Sequence, residues 1–454
     1  MNGDALFWIW LSERLGAASR DFKKLIGLYG TPYDIFHAEE SELERIPDIS
    51  ARTKEVLLDK SLEQASKIID CCEQSGISVV TYNDEGYPNV LRDIKNPPVL
   101  LYYKGTLPDW NHRLSIGMVG TRRMSAYGLH TAYKIAFEFA SAGGVVVSGM
   151  AAGIDGVCAA AAVLAGGCTV AVLGCGVDVV YPRHHKLLAE EIVKNGVLLS
   201  EYAPGTRPNH YHFPIRNRII SGLSAGTLVV EAGVGSGSLI TARDAVLQGK
   251  DVFAVPANVG SAGAEGTNGL LRDGANLVLD TSDLLEHYLY AYADHIDLEK
   301  YHKVRGSVKA DLYALERYGV VELKRQTEKQ EPAATAAARE EKPAGKNPTV
   351  RSVQTKREVQ KRDPIPKAPQ NGQGRAKAEP VAETSAKKQT PDSILTSLTP
   401  VQLAVMQAMP DDHPVTADSL GNLGYPYSEI IAALTMLEIL GLIRKLPGAL
   451  YTKA

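Results

Sequence analysis

Between Leu114 and Leu279 the chain repeats a single pattern: a short run of apolar, mostly β-branched residues, a loop, then a stretch compatible with a helix. The runs are Leu114–Val119, Gly144–Ser148, Thr169–Leu173, Val197–Ser200, Thr227–Val230, Val252–Val255 and Leu277–Leu279. The helical stretches are Ala126–Ala140, Val157–Ala165, His185–Lys194, Leu239–Leu247 and Gly269–Asp273. A strand that is apolar throughout, rather than at every second position, has to be covered on both faces. Strands of this kind alternating with helices define an α/β fold: a Rossmann-like, doubly wound, mostly parallel sheet.

The flanks read differently. Residues 1–66 carry short apolar clusters broken by punctuation such as Gly30-Thr31-Pro32, the pattern of a small helical domain. A helix around Gln64–Gln74 and the alternating stretch Ile77–Tyr82 lead into the central domain, residues 67–285. Residues 286–325 read as a helical, tyrosine-rich extension. Residues 326–392 hold almost no large apolar side chains, so burial cannot offset chain entropy, and a disordered linker is expected. In 393–454, helices over Pro400–Met409, Thr416–Leu423 and Ser428–Leu440 precede a short hairpin, the outline of a winged helix.

A formal charge of −3 over 454 residues does not announce a polyanion partner, so such a reading rests on where the cations sit. The five cysteines contain no CxxC, and their odd number in a long chain fits a reducing, cytoplasmic setting. The apolar run Phe7–Leu11 is too short to span a membrane and lacks the basic flank of a signal peptide, so no membrane partner is expected.

In a doubly wound sheet, ligands gather where strands end and helices begin. Gly120-Thr121-Arg122-Arg123 follows the first of these strands, with a glycine that admits an anion and two cations directly behind it. Ser148 to Asp155 is a second such loop; it lacks the full GxGxxG spacing of a dinucleotide site, and Asp155 suits a helix cap as well as a ligand contact. In the third loop Arg183 and Lys186 suit phosphate, whereas the adjacent His184 and His185 lack the third ligand a metal would require. From Tyr202 to Val230 there is no Asp or Glu, yet Arg207, Arg216 and Arg218 lie among Tyr202, Tyr211, His212 and Phe213. Arginines for phosphates and rings for sequence-tolerant stacking are what single-stranded DNA requires. Asn217 suits loop fastening and ligand contact equally. In the fourth loop Ser236, Gly237 and Ser238 open a helix and suit an oxyanion, with Arg243 about one turn further on. The sequence shows no Walker A loop, no serine nucleophile elbow and no nucleophile, base and orienter set, so it gives no ground for an enzyme, cofactor or metal.

Taken in order, Met118-Val119-Gly120-Thr121-Arg122, Ser148-Gly149-Met150-Ala151 with Gly153-Ile154-Asp155, Gly174 to Pro182, Phe213 to Ser224, and Val229 to Leu239 resemble the DNA-processing protein A family (DprA, also called Smf). The resemblance implies a non-catalytic mediator that binds and protects single-stranded DNA in natural transformation, loads a RecA-type recombinase and forms a homodimer. It implies DNA contacts at Arg122, Lys186, Arg216 and Arg218, with Gly120 and Ser236 to Ser238 as the floor. It also implies a helix-hairpin-helix or SAM-like N-terminal module, although Ile46-Pro47-Asp48-Ile49-Ser50 lacks the glycines of a phosphate-binding hairpin. The family's usual arginine before Gly-Ile-Asp and histidine four residues after it are replaced here by Ala152 and Ala159. The presumptive recognition helix Ser428–Leu440 carries Glu429 and Glu438 and no cation, which suits a protein contact; Arg444 and Lys445 lie on the wing. The competing reading is a nucleotide-processing or nucleotide-sensing Rossmann-like protein.

Overall fold

The computed structural model describes residues 4–261, 263–323 and 398–410, together with stretches between 415 and 453. The expected linker, 326–392, lies outside the described residues. Two units divide the chain, Met1–Gln326 and Thr327–Ala454.

In the first unit, nine strands form one sheet: β1 Ser78–Thr81, β2 Leu100–Gly105, β3 Ser115–Val119, β4 Val145–Ser148, β5 Cys168–Leu173, β6 Val197–Ser200, β7 Gly226–Val229, β8 Asp251–Ala254 and β9 Asn276–Leu277. Their order is β1-β2-β6-β5-β4-β3-β7-β8-β9. From β6 to β9 all neighbours run parallel, and β2 joins β6 antiparallel. Strands β3 to β7 are buried throughout, as their unbroken apolar runs require, while the edge strand β9 is exposed; alternate side chains enter opposite layers. Met118, Val146 and Ala171 pack towards helices Ala126–Ser141, Ile154–Leu164 and Lys186–Asn195. Val119, Val145, Val147 and Val170 pack towards helices His212–Gly222 and Ser238–Leu247. The order reverses at β3, which lies between β4 and β7, so the C-terminal ends of β3 and β7 frame the switch-point crevice.

Six short helices from Asp4–Leu15 to Glu63–Ser75 precede the sheet. Their core, built on Trp8, Trp10 and Phe22, is continuous with Val99, Leu100 and Tyr102 of the β2 region. In the tyrosine-rich extension, helix Thr281–Tyr292 crosses the expected boundary between 285 and 286, and with Leu298–Val304 and Leu312–Arg317 it shares the core of the layer that holds Ala126–Ser141. Fully buried Glu138 fastens it, accepting hydrogen bonds from Thr281 Oγ1 at 2.6 Å and Gly306 N at 3.2 Å.

In the second unit, helix Pro400–Ala408 starts at a capping box formed by Thr399 and Gln402. Strands β10 Val415–Thr416, β11 Ile443–Leu446 and β12 Leu450–Lys453 pair antiparallel with β12 central, which is the wing. A 3₁₀ helix, Asp418–Leu423, stands where an α-helix was expected. The expected recognition helix, Ser428–Leu440, falls only partly within the described residues, and of its two acids Glu429 is exposed while Glu438 lies outside them.

Candidate nucleic-acid interface

The loops after β3, β4 and β7 and the first turns of helix His212–Gly222 enclose a crevice of about 470 Å³. Gly120, Arg122, Arg216, Asn217, Ser236, Gly237 and Ser238 all line it, so seven of the residues singled out from sequence meet there. Arg123, Arg183, Lys186 and Arg243 are exposed but do not line it, and neither does Arg218.

Asp155 organises the floor from the start of helix Ile154–Leu164. Its Oδ2 accepts from Gly149 N at 2.9 Å and its Oδ1 from Gly120 N at 3.3 Å, so one carboxylate ties the second loop to the first. Arg216 is 4% exposed and faces that carboxylate. Its Nη1 donates to Gly149 O at 3.1 Å and to Val172 O, and its Nε donates to Asn217 Oδ1 at 3.2 Å. Burial pushes the Asp155 carboxyl up and the Arg216 guanidinium down, and the charge of each opposes the shift in the other. A methyl on Gly149 would stand 2.6 Å from Arg216 Nη2 and 2.8 Å from Asp155 Oδ2, so only glycine lets the two groups approach across this backbone.

Arg122 is the cation left open. It is exposed, makes no ion pair among the described residues, and its guanidinium lies 5.3 Å from the centre of the Phe213 ring. Phe213 also stacks with Tyr181, at a centroid distance of 5.4 Å and 28° between planes. Opposite, Ser236 Oγ and Ser238 Oγ lie 2.8 Å apart at the N-terminus of helix Ser238–Leu247, and Asn217 Nδ2 reaches Gly237 O at 3.4 Å. The two hydroxyls and the positive end of a ten-residue helix line the same space as Arg122.

Arg218 projects elsewhere: Nη2 pairs with Glu201 Oε1 at 2.6 Å and Nε donates to Asn96 O at 3.0 Å, deep beside helix Asn89–Arg92. His185 turns inwards, its Nδ1 at 3.1 Å from Met150 O, while His184 stays exposed and meets it edge to face, with ring centroids 4.8 Å apart. Among the described residues no group of His, Cys, Asp and Glu is placed to hold a metal, and no helix is long and apolar enough to cross a membrane. Asp155 was legible only as a cap or a ligand; the signal for its role would have been the glycines it restrains, Gly120 and Gly149, each at a strand end.

Fold and crevice together define a Rossmann-like domain that presents cations, hydroxyls and helix N-termini at its switch point, the class of site that seats phosphorylated ligands. The family model for DNA recombination-mediator protein A matches residues 78–289, and that for the DprA winged helix domain matches residues 388–449. The DNA processing protein DprA of Bacillus subtilis is 40% identical over 220 residues, 48% of this chain and 74% of that protein. The protein Smf of Escherichia coli is 41% identical over 216 residues, 47% of this chain and 58% of that one. The X-ray structure of DNA processing protein A from Streptococcus pneumoniae superposes with a TM-score of 0.54 at 34% identity, covering 62% of this chain and 97% of that one. The chain belongs to the DNA recombination-mediator protein A (DprA/Smf) family.

Proposed function

We propose that the crevice binds single-stranded DNA as a ligand rather than a substrate, protecting it and presenting it to a RecA-type recombinase. The carrying observation is Arg122: a guanidinium unpaired by acid, seated on the Phe213 ring and facing the Ser236 to Ser238 turn. Phosphates on Arg122 and the serine turn, with bases on Phe213 and Tyr181, use the two terms that sequence-tolerant single-strand binding needs. Arg216 acts from beneath, holding the loops and adding field. Arg123, Arg183, Lys186 and Arg243 extend the cationic surface outside the crevice. The recombination-mediator description of the matching family supports the loading role.

Self-association fits the edge strand β9, where Leu277 and Leu279 are 50% and 69% exposed beside unpaired backbone. The winged helix is proposed as a protein contact. The test is Arg122→Glu in the full chain, read by fluorescence anisotropy on labelled oligothymidylate and by recombinase filament formation on coated single strands. Single-strand affinity is expected to fall at least tenfold with melting temperature unchanged, and filament formation to fall with it; normal binding by the folded variant overturns the assignment.

A further inference from the structure

The segment from Ala203 to Tyr211 is a wall between two cavities. On one side lies the crevice, touched by Pro208 and His210. On the other lies a groove of about 660 Å³ between the N-terminal helices and the sheet, lined among others by Arg20, Arg52, Tyr202, Thr206 and His212. His212 and Arg216 line different cavities yet stand one helical turn apart, about 6 Å along the axis. A strand leaving the crevice over the wall therefore enters the groove.

The groove repeats the combination of rings and cations found in the crevice. Tyr202 and His212 stack at 4.1 Å with 17° between planes. On the wall His210 and Tyr211 lie 3.8 Å apart, and Tyr211 is 68% exposed. Most of the charges nearby are already committed. Arg14 pairs with Asp59 at 2.9 Å and Glu201 with Arg218 at 2.6 Å. Asp21 accepts from Ser50 N, Ser50 Oγ and Thr53 Oγ1. Arg20 and Arg52 are exposed and make no hydrogen bond or ion pair among the described residues. Among the described residues Glu13, which is exposed, is the one acid of the lining without a fixed partner.

Resting on the single-strand reading of the crevice, we propose that the DNA path continues across Tyr211 into this groove, with Arg20 and Arg52 taking phosphates and the Tyr202–His212 stack carrying a base. The N-terminal helical domain is then part of the DNA site rather than an appendage to it.

The test is the Arg20→Ala, Arg52→Ala double variant of the full chain against oligothymidylates of increasing length. Short oligonucleotides that fill only the crevice are expected to bind as to the parent chain. The longest are expected to bind about tenfold more weakly, with a salt slope shallower by about 1.4, which is about 0.7 for each lost phosphate contact. Unchanged binding at every length, or an equal loss at every length, overturns the proposal. Failure of the parent chain to bind single strands at all would instead overturn the reading of the crevice. Should the double variant not fold, Glu13→Gln carries the same test with opposite sign: tighter binding confined to long oligonucleotides supports the path, and unchanged binding overturns it.

Discussion

His185 makes the stability of the crevice floor depend on pH in a calculable way. The residue is fully buried between the third loop and helix Ile154–Leu164, and its Nδ1–H donates to the carbonyl of Met150. Met150 itself holds a left-handed backbone, φ 49°, which this hydrogen bond helps to retain. Burial lowers the imidazole pKa from 6.5 to about 4, with the neighbouring His184 pushing the same way and the Met150 bond opposing it. A folded state that binds the proton less readily than the unfolded chain is at full stability above pH 6.5 and loses stability as pH falls towards 4. One pH step across that window is worth about 1.4 kcal/mol for a single group. The whole interval therefore costs roughly 3 kcal/mol. Other groups titrate in the same window, so the assay is a difference. Urea unfolding midpoints of the parent chain and of His185→Gln, measured from pH 7 to pH 4, give two curves. The glutamine can still donate to Met150 O but does not titrate, so the parent is expected to lose about 3 kcal/mol more than the variant over that span. Parallel curves would refute the burial of a neutral imidazole under the second loop.

Arg218→Ala strands the carboxylate of Glu201, which is 4% exposed, and is expected to destabilise the first unit by about 3–5 kcal/mol in chemical denaturation. Its folded fraction should still bind short oligonucleotides normally, because Arg218 does not line the crevice. Gly153→Ala places a methyl against Thr121 O at a backbone φ of 85°, so a loss on the order of 2 kcal/mol and weakened single-strand binding are expected from denaturation and anisotropy. Leu277→Arg is expected to lower the sedimentation coefficient if β9 is the association edge, with single-strand binding by each chain retained.

The parallel core was legible because strands covered on both faces cannot hide their composition: the expected run Val197–Ser200 coincides with β6, and Gly144–Ser148 begins one residue before β4. Strand β2 escaped because Leu100–Gly105 follows Pro97-Pro98, which reads as a break; it pairs with β1 on one side and with β6, nearly a hundred residues on, on the other. Helix His212–Gly222 was not among the expected helices: it opens His-Phe-Pro, and Pro214 is tolerated because it sits in the first turn, where backbone N–H groups have no intrahelical partner. Part of the acid-free stretch lines the crevice, but local sequence cannot tell which of its arginines are already occupied. Arg216 meets Asp155 from sixty-one residues earlier, and Arg218 meets Glu201, the residue just before the stretch begins. Arg122 was recognised together with Arg123, yet only the packing of Phe213 distinguishes the one that faces the crevice.

The central claim is that exposed guanidiniums and a serine turn, not bulk charge, hold a single strand. The most direct measurement is the affinity of the full chain for oligothymidylate across a salt series. With about four to six phosphates engaged, log affinity should fall against log salt with a slope of roughly −3 to −4, and Arg122→Glu should make it shallower. A slope near zero, or tight binding of a mononucleotide with indifference to DNA length, would contradict the account.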